Sequence, residues 1–383
     1  MKLLEYKAKE LFEQFDIPVM RGCVIDDANK MDATLAKAAL CYPVVVKAQV
    51  QVGGRGKAGG IRFADTPEQA QTHCRSLLHS ELLGCRVDRL MIVEKASPQA
   101  EWYLSIMLDR LSKRPMIIFS ARGGVDIETV SHAEPDKIIK TELDPVIGVQ
   151  EYTARYLLSR AGLDAAYLLQ FCMLLKKLYA CFCEYDCLLA EINPLAVSDG
   201  NLIALDGKVD IDDSALYRLP DIRVFRETLQ EDALVKEARA FRFLYIPVGT
   251  EGSIAVASNG SGMLMSCIDL ISQENMQVKA ALDLGGGATA ERIKEALRIL
   301  FATPGVKAVL INIFGGITRC DEVAEGIRLA MCEYVQDKTV IVRMEGTNKE
   351  KGLEIVQAIQ GDIVSTPGLR ESVRALAERR SML

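Results

Sequence analysis

The stretch Lys47-Ala48-Gln49-Val50-Gln51-Val52-Gly53-Gly54-Arg55-Gly56-Lys57-Ala58-Gly59-Gly60 decides the fold, and the residues just after it decide how it is read. Gly54, Gly56 and Gly59 satisfy G-x-G-x-x-G, a spacing that in dinucleotide-binding folds opens a helix. Here Ile61-Arg62-Phe63 comes next and reads as a second strand, and Lys57 is followed by Ala58 rather than the Ser or Thr of a P-loop. The run is predicted to be a strand–glycine loop–strand hairpin, with Lys47 on the incoming strand and Arg55 and Lys57 at the tip. Two readings fit it. It can fold over a triphosphate with backbone N–H groups and cations, or it can be a plain flexible hairpin.

Working outward, Leu189-Ala190-Glu191-Ile192-Asn193-Pro194-Leu195 puts Glu191 and Asn193 two residues apart, so on a strand both face one side. Leu205-Asp206-Gly207-Lys208 ends the next strand on an acid. Asn and Asp oxygens on adjacent strands suit Mg²⁺, which takes one or two protein oxygens plus phosphates and waters. They suit a solvated strand-end turn as well. Glu94 closes an apolar strand, with Glu101 seven residues on. Such carboxylates can meet an adenine amine or ribose hydroxyls, or can simply be exposed.

The 383 residues predict two or three domains with ample core. Leu4, Ala8, Leu11, Phe12 and Phe15 share one helical face that ends before Ile17-Pro18. Strands are expected at Val44–Ala48, Leu90–Glu94, 103–108 and 116–120, then after a long helical tract at about 150–184, at 188–193 and 202–206. Their pairing through short connections predicts largely antiparallel sheets. The pattern changes near residue 230. A charged helical connector from Glu231 to Ala238 leads into alternating strands and helices, with strands at 254–257, 278–284, 309–313 and 340–344. That is the grammar of a parallel, doubly wound sheet, and the domains are placed at 1–235 and 236–383. In the second, Asn259-Gly260-Ser261-Gly262 and Gly315-Gly316-Ile317-Thr318 each follow a strand and precede a helix, near 263–272 and Asp321 respectively. Free N–H groups and positive helix ends at such turns suit a phosphate or carboxylate. Tight βα turns need the same glycines with no ligand at all.

Composition narrows the function classes. Lys and Arg number 46 against 52 Asp and Glu, a net charge of −6, without long like-charge blocks. A broad nucleic-acid or anionic-membrane surface is not expected. No apolar stretch is expected to reach the ~18 residues of a bilayer span, and the opening Met1-Lys2-Leu3-Leu4-Glu5-Tyr6 has neither a signal nor a transit pattern. A cytoplasmic protein is expected. Eleven cysteines contain no Cys-x-x-Cys pair and are read as buried reduced thiols, with a metal or redox role as the alternative. The three histidines, His73, His79 and His132, lie in no glycine- or carboxylate-rich motif.

Together these stretches closely resemble the β subunits of the succinyl-CoA synthetase family of ATP-grasp enzymes. The resemblance runs nearly end to end: Glu5-Tyr6-x-Ala8-Lys9-x-Leu11, the glycine loop, Glu191-Ile192-Asn193-Pro194-Leu195 and Leu205-Asp206-Gly207-Lys208, then Gly285-Gly286-Gly287-Ala288-Thr289, the stretch from Asn312 to Asp321, and Glu345-Gly346-Thr347-Asn348. It implies an α/β protein with an N-terminal ATP-grasp domain of mixed or antiparallel sheets and a C-terminal flavodoxin-like, parallel doubly wound domain. It implies nucleotide contacts from Lys47, Gly54, Arg55, Gly56, Glu94, Ser97 and Glu101, and Mg²⁺ ligands at Asn193 and Asp206. Glu191 would meet the incoming phosphohistidine. Asn259, Gly316, Ile317 and Thr318 would form part of a succinate and phosphate site. The family's phosphorylated histidine and CoA site belong to a partner α subunit, so this chain alone is expected to have no turnover.

Three segments depart from the family pattern. Ala121-Arg122-Gly123-Gly124 stands where the family has Thr-Glu-Gly-Gly, Ser258-Asn259-Gly260-Ser261-Gly262 where it has Val-Asn-Gly-Ala-Gly, and Asp213-Ser214 where an Asn-containing turn is more usual after the metal strand. No inferred ligand is lost. ATP is expected over GTP, because apolar Met20 offers guanine no polar side-chain contact. The alternatives are a malate–CoA ligase β subunit, with the same chemistry on another acid, and a non-catalytic nucleotide-sensing partner.

Overall fold

The computed structural model describes residues 1–287, 289–315, 318–334 and 337–380. The chain divides into two compact units, Met1–Leu229 and Gln230–Leu383. The helix Ala233–Ala240 thus falls whole within the second unit, where Ala238 is part of the core.

The first unit holds two larger antiparallel sheets. One runs in the order Gly22–Ile25, Leu90–Glu94, Val44–Ala48, Ile61–Ala64. Its last pair is the expected hairpin, in register from Val44 opposite Ala64 to Lys47 opposite Ile61. The other sheet is built around the long strand Cys187–Ser198, which pairs with Ala100–Asp109 on one side and with both Asn201–Ala204 and Gly207–Ile211 on the other. Arg114–Ser120 and Ile139–Glu142 complete it. Period-two alternation sorts this sheet into faces. Trp102, Leu104, Ile106, Ala190, Ile192 and Val209 are all buried in one core, while Glu101, Tyr103, Ser105 and Glu191 occupy the alternate positions.

Two helices cover the apolar face, and they correct two expectations. The tract read as one helix over 150–184 is broken into Glu151–Ala161 and Leu168–Glu184, because Gly162 ends the first in the left-handed region (φ 69°) and Asp164 caps the short turn after it. Ala165–Glu184 is also long and apolar enough to span a membrane by length and composition, contrary to the expectation that no stretch nears that limit. Its apolarity has a local cause. Phe171, Leu174, Leu175, Leu178 and Phe182 are buried on the sheet and on Glu5–Gln14, so this is a core helix.

In the second unit, strands run in the order Leu244–Pro247, Val278–Asp283, Ile254–Ser258, Ala308–Gly315, Thr339–Gly346, Ile363–Ser365. All neighbours are parallel except Leu244–Pro247, an antiparallel edge strand. Numbered along the chain without that edge, the order is 2-1-3-4-5, the flavodoxin-like arrangement. Its switch point lies between the carboxyl ends of Ile254–Ser258 and Ala308–Gly315.

Trp102, the single tryptophan, sits edge-on to Phe119, Tyr167 and Phe171 at centroid distances of 5.9, 5.4 and 6.1 Å. The Arg122-Gly123-Gly124 segment crosses its backbone so closely that a Cβ on Gly123 would lie 2.4 Å from the Trp102 carbonyl oxygen. Gly123→Ala should therefore cost the first unit about 2 kcal/mol of overpacking. Denaturant unfolding followed by Trp102 fluorescence checks this, and an unchanged midpoint would contradict it.

Candidate functional site

The hairpin loop is tied down at its base. Ala48 N–H donates to Gly60 O (2.8 Å), Gly60 N–H to Arg55 O (2.8 Å), and Gln49 N–H to Arg89 O (3.0 Å). Gln49 also accepts from the Tyr6 N–H at the start of the first helix (3.0 Å). Gly54 and Gly59 take the turns at φ 80° and 78°, where a side chain would be strained, and Gly56 lies between them. Arg55 turns inward and donates to Ala48 O (3.1 Å). Lys57, at the tip, points out and pairs with Asp126.

Beneath the loop, Glu5 gathers the cations. Lys47 Nζ is 2.7 Å from Glu5 Oε1 and Arg55 Nη2 is 3.0 Å from Glu5 Oε2, with 1% of the Glu5 side chain exposed. Lys47 Nζ also donates to Leu205 O (3.0 Å), and Arg55 Nη2 reaches Asp206 Oδ2 (3.4 Å). One turn on, Lys9 donates to Met20 O (3.0 Å). Burial, joined by the charge of Lys47, brings the Lys9 ammonium down to about 8. For Glu5, burial works upward, but Lys47 and Arg55 outweigh it and hold the carboxyl below its usual range. Asp206 moves the other way: burial first, then the Glu5 charge, raise it. Glu5 and Lys9 escaped notice in the sequence as site residues. The signal was there, in charged residues on the same helical face as Leu4, Ala8 and Phe12, but a single amphipathic helix does not say what lies across from it.

Asp206 lies opposite Asn193. Ile192 pairs with Gly207 and Leu195 with Ala204 in one continuous register, and Leu205 N–H donates to Pro194 O between them (3.1 Å), which sets Asn193 across from Asp206. Asn193 Oδ1 accepts from Gly124 N–H (2.8 Å), and its amide donates to Val125 O (3.0 Å). Among the described residues no group of three His, Cys, Asp or Glu side chains could hold a metal. Two hard oxygen donors at opposed register positions suit Mg²⁺, which completes its octahedron with phosphate oxygens and water.

Glu191 is on the same sheet face, opposite Ser105 and Lys208 in register. Burial raises its carboxyl pKa, against the pull of Lys208 and a hydrogen bond from Tyr103. Glu94 pairs with Val44, at the other end of the strand from Lys47, about 10 Å away at strand rise. Its Oε1 accepts from Cys41 N–H (3.2 Å). Ser97 is exposed in the loop after that strand, and Glu101 opens the next, opposite Ala196 and against Gly124. The structure thus gathers Lys47, Arg55, Asp206 and Asn193, with Glu191 on the same sheet face. Arg122 leans away toward Glu134 (3.4 Å) with 60% of its side chain exposed, so its departure from the family pattern leaves the cluster unchanged.

In the second unit, Asn259 clamps the switch point. Its amide donates to Phe314 O (2.8 Å) and its Oδ1 accepts from Phe314 N–H (3.0 Å). The helix Ser261–Gln273 starts directly after it without a side-chain cap. Thr318 is buried; Gly316 and Ile317 lie outside the described residues. Asp321, not foreseen as a site residue, holds Arg319 (2.7 Å), Asn348 (3.1 Å) and Lys351 (3.4 Å) together. These partners, Arg319 foremost, keep its carboxyl well below the usual range.

Known proteins match along the same division. Residues 2–197 match the ATP-grasp domain model, and residues 257–374 match the CoA-ligase model. The chain is 44% identical over 354 residues to the β subunit of the ADP-forming succinate–CoA ligase of Chloroflexus aurantiacus, covering 92% of each. It is 41% identical to that of Desulforapulum autotrophicum, covering 98% of this chain and 99% of the relative. Among solved structures, ATP citrate lyase from Methanothrix soehngenii in complex with citrate and coenzyme A shares the fold, with a TM-score of 0.74, 18% identity and 99% coverage of both chains.

The cluster under the loop generates a stability prediction. Glu5→Gln leaves Lys47 and Arg55 buried without their shared carboxylate, and should cost about 3 kcal/mol. A urea titration of the variant checks this; a midpoint within error of the parent would contradict the role given to Glu5.

Proposed function

Because the chain belongs to the succinate–CoA ligase β-subunit family, we propose that its glycine-loop site takes Mg-ATP and that its second unit shares the acid and phosphate site of the ligase. The protein is the β subunit of an ADP-forming acid–CoA ligase that acts with an α subunit. The proposed reaction is succinate + ATP + CoA ⇌ succinyl-CoA + ADP + phosphate, passing through an acyl phosphate and a phosphohistidine on the α subunit. The observation that carries the reading is the convergence of Lys47, Arg55, Asn193 and Asp206 beneath the loop. The reducing cytoplasm suits its eleven free cysteines.

Lys47 and Arg55 would face the phosphates, exchanging Glu5 and Asp206 as partners for phosphate oxygens. Glu94, at the far end of the same hairpin strand, would meet the base or ribose. Asn193 and Asp206 would hold Mg²⁺, which when bound neutralises phosphate charge. Glu191 would receive the α-subunit histidine: its carboxylate accepts a hydrogen bond from one imidazole nitrogen and so presents the other, unprotonated, to the γ-phosphorus. A P–N bond then forms as the bond to the β-phosphate oxygen breaks, and ADP leaves. In the second unit, the Asn259 clamp shapes the strand end while backbone N–H groups at the start of Ser261–Gln273 would meet a carboxylate or phosphate.

The two sites should separate by mutation. In the αβ complex, Asp206→Asn should weaken Mg-ATP binding at least about tenfold and abolish labelling of the α subunit from ATP. Labelling from succinyl-CoA and inorganic phosphate should persist. Asn259→Leu should do the reverse, since it removes both hydrogen bonds to Phe314. Labelling with ³²P from either donor reads the result, and loss of both labellings in both folded, assembled variants would refute the two-site assignment. Running the assay with succinate and with malate identifies the acid.

A further inference from the structure

Glu191 is held by a short relay that nucleotide binding does not require. Tyr103 and Ser105 are two residues apart on Ala100–Asp109, so both face the side of the sheet that carries Glu191. The Tyr103 hydroxyl is 3.1 Å from Glu191 Oε2 and 3.1 Å from Ser105 Oγ. A carboxylate can only accept, which sets the direction of the chain: Tyr103 donates to Glu191 and accepts from Ser105. Tyr103 is 3% exposed and Ser105 fully buried, so the bond between them is shielded from solvent and the bond to Glu191 is partly so. Burial first, and then the Glu191 charge, push the Tyr103 phenol well above its ordinary pKa, which keeps it a donor.

We propose that Tyr103, backed by Ser105, is the positioning residue for the Glu191 carboxylate: it fixes Oε2 and so aims Oε1 at the imidazole N–H of the partner's histidine. This rests on the role proposed for Glu191 as the group that receives that histidine. Two groups bear on the carboxylate besides the relay. Lys208 stands opposite it in register, and Glu128 adds a like charge. Only Tyr103 gives it a hydrogen bond among the described residues. A carboxylate with one oxygen pinned has one rotational choice left to make, and that alignment matters at the moment of phosphoryl transfer rather than in nucleotide binding.

The test is single-turnover phosphorylation of the α subunit by Mg-ATP in the assembled complex. Tyr103→Phe keeps the buried ring and loses only the hydroxyl. It should slow the transfer about tenfold, the scale of a hydrogen bond to a charged group, with the ADP dissociation constant within about twofold of the parent. Ser105→Ala should slow it by less. Glu191→Gln should be slower still, and adding Tyr103→Phe to it should have no further effect, because the hydroxyl acts through the carboxylate. A Tyr103→Phe rate equal to the parent, beside a slow Glu191→Gln, overturns the proposal and leaves Glu191 in place. So does a double variant whose losses multiply. A Glu191→Gln complex at the parental rate overturns the reading of Glu191 itself, and the relay with it.

Discussion

One carboxylate, Glu5, lies within 3.0 Å of both Lys47 and Arg55 with almost none of its surface open to water. Two buried cations so close together would repel each other and cost several kcal/mol in desolvation if left unpaired. The Glu5 side chain offsets both terms, and it comes from the first turn of the first helix. Hence three distant segments are fixed against one another: the helix Glu5–Gln14, the hairpin around residues 44–64, and the strand ends near Leu205 and Asp206. The glycine loop is therefore not a free flap. Its inward-turned Arg55 stands where phosphate and metal charge would otherwise be answered.

The second constraint is register. Cys187–Ser198 runs between three other strands, and a single two-residue alternation puts Ala190 and Ile192 into the core while Glu191 faces Tyr103, Ser105 and Lys208. A slip of one residue would bury Glu191 and expose Ile192. The hydrophobic face thus holds the chemical face in place, and Asn193 stands opposite Asp206 in register for the same reason.

Much of this was legible in the sequence. The strand after the glycine loop excluded a dinucleotide fingerprint, and the alternation of strands and helices after residue 250 announced a parallel sheet. What stayed hidden depends on distance in space. Nothing local marks Glu5 as the partner of residues as far along the chain as Lys47 and Arg55, and Tyr103 reads as an ordinary aromatic strand residue until Glu191 is set beside it. The break at Gly162 was missed because apolar periodicity resumes soon after it, and the edge strand Leu244–Pro247 because its four residues run antiparallel to the pattern around them. Gly123-Gly124 shows the same limit. Arg122 stands out in one dimension as a departure from the family pattern, yet the close approach to Trp102 and Asn193 is made by the glycines.

The most direct measurement is a crystal structure of the αβ complex grown with Mg-ADP. The diphosphate is expected beneath the 53–56 loop with Lys47 Nζ and Arg55 in hydrogen-bond contact, Mg²⁺ on Asn193 Oδ1 and the Asp206 carboxylate, and the base toward Glu94. A nucleotide bound elsewhere, or one seated there while Lys47 and Arg55 remain paired to Glu5 and Asp206, would contradict the site.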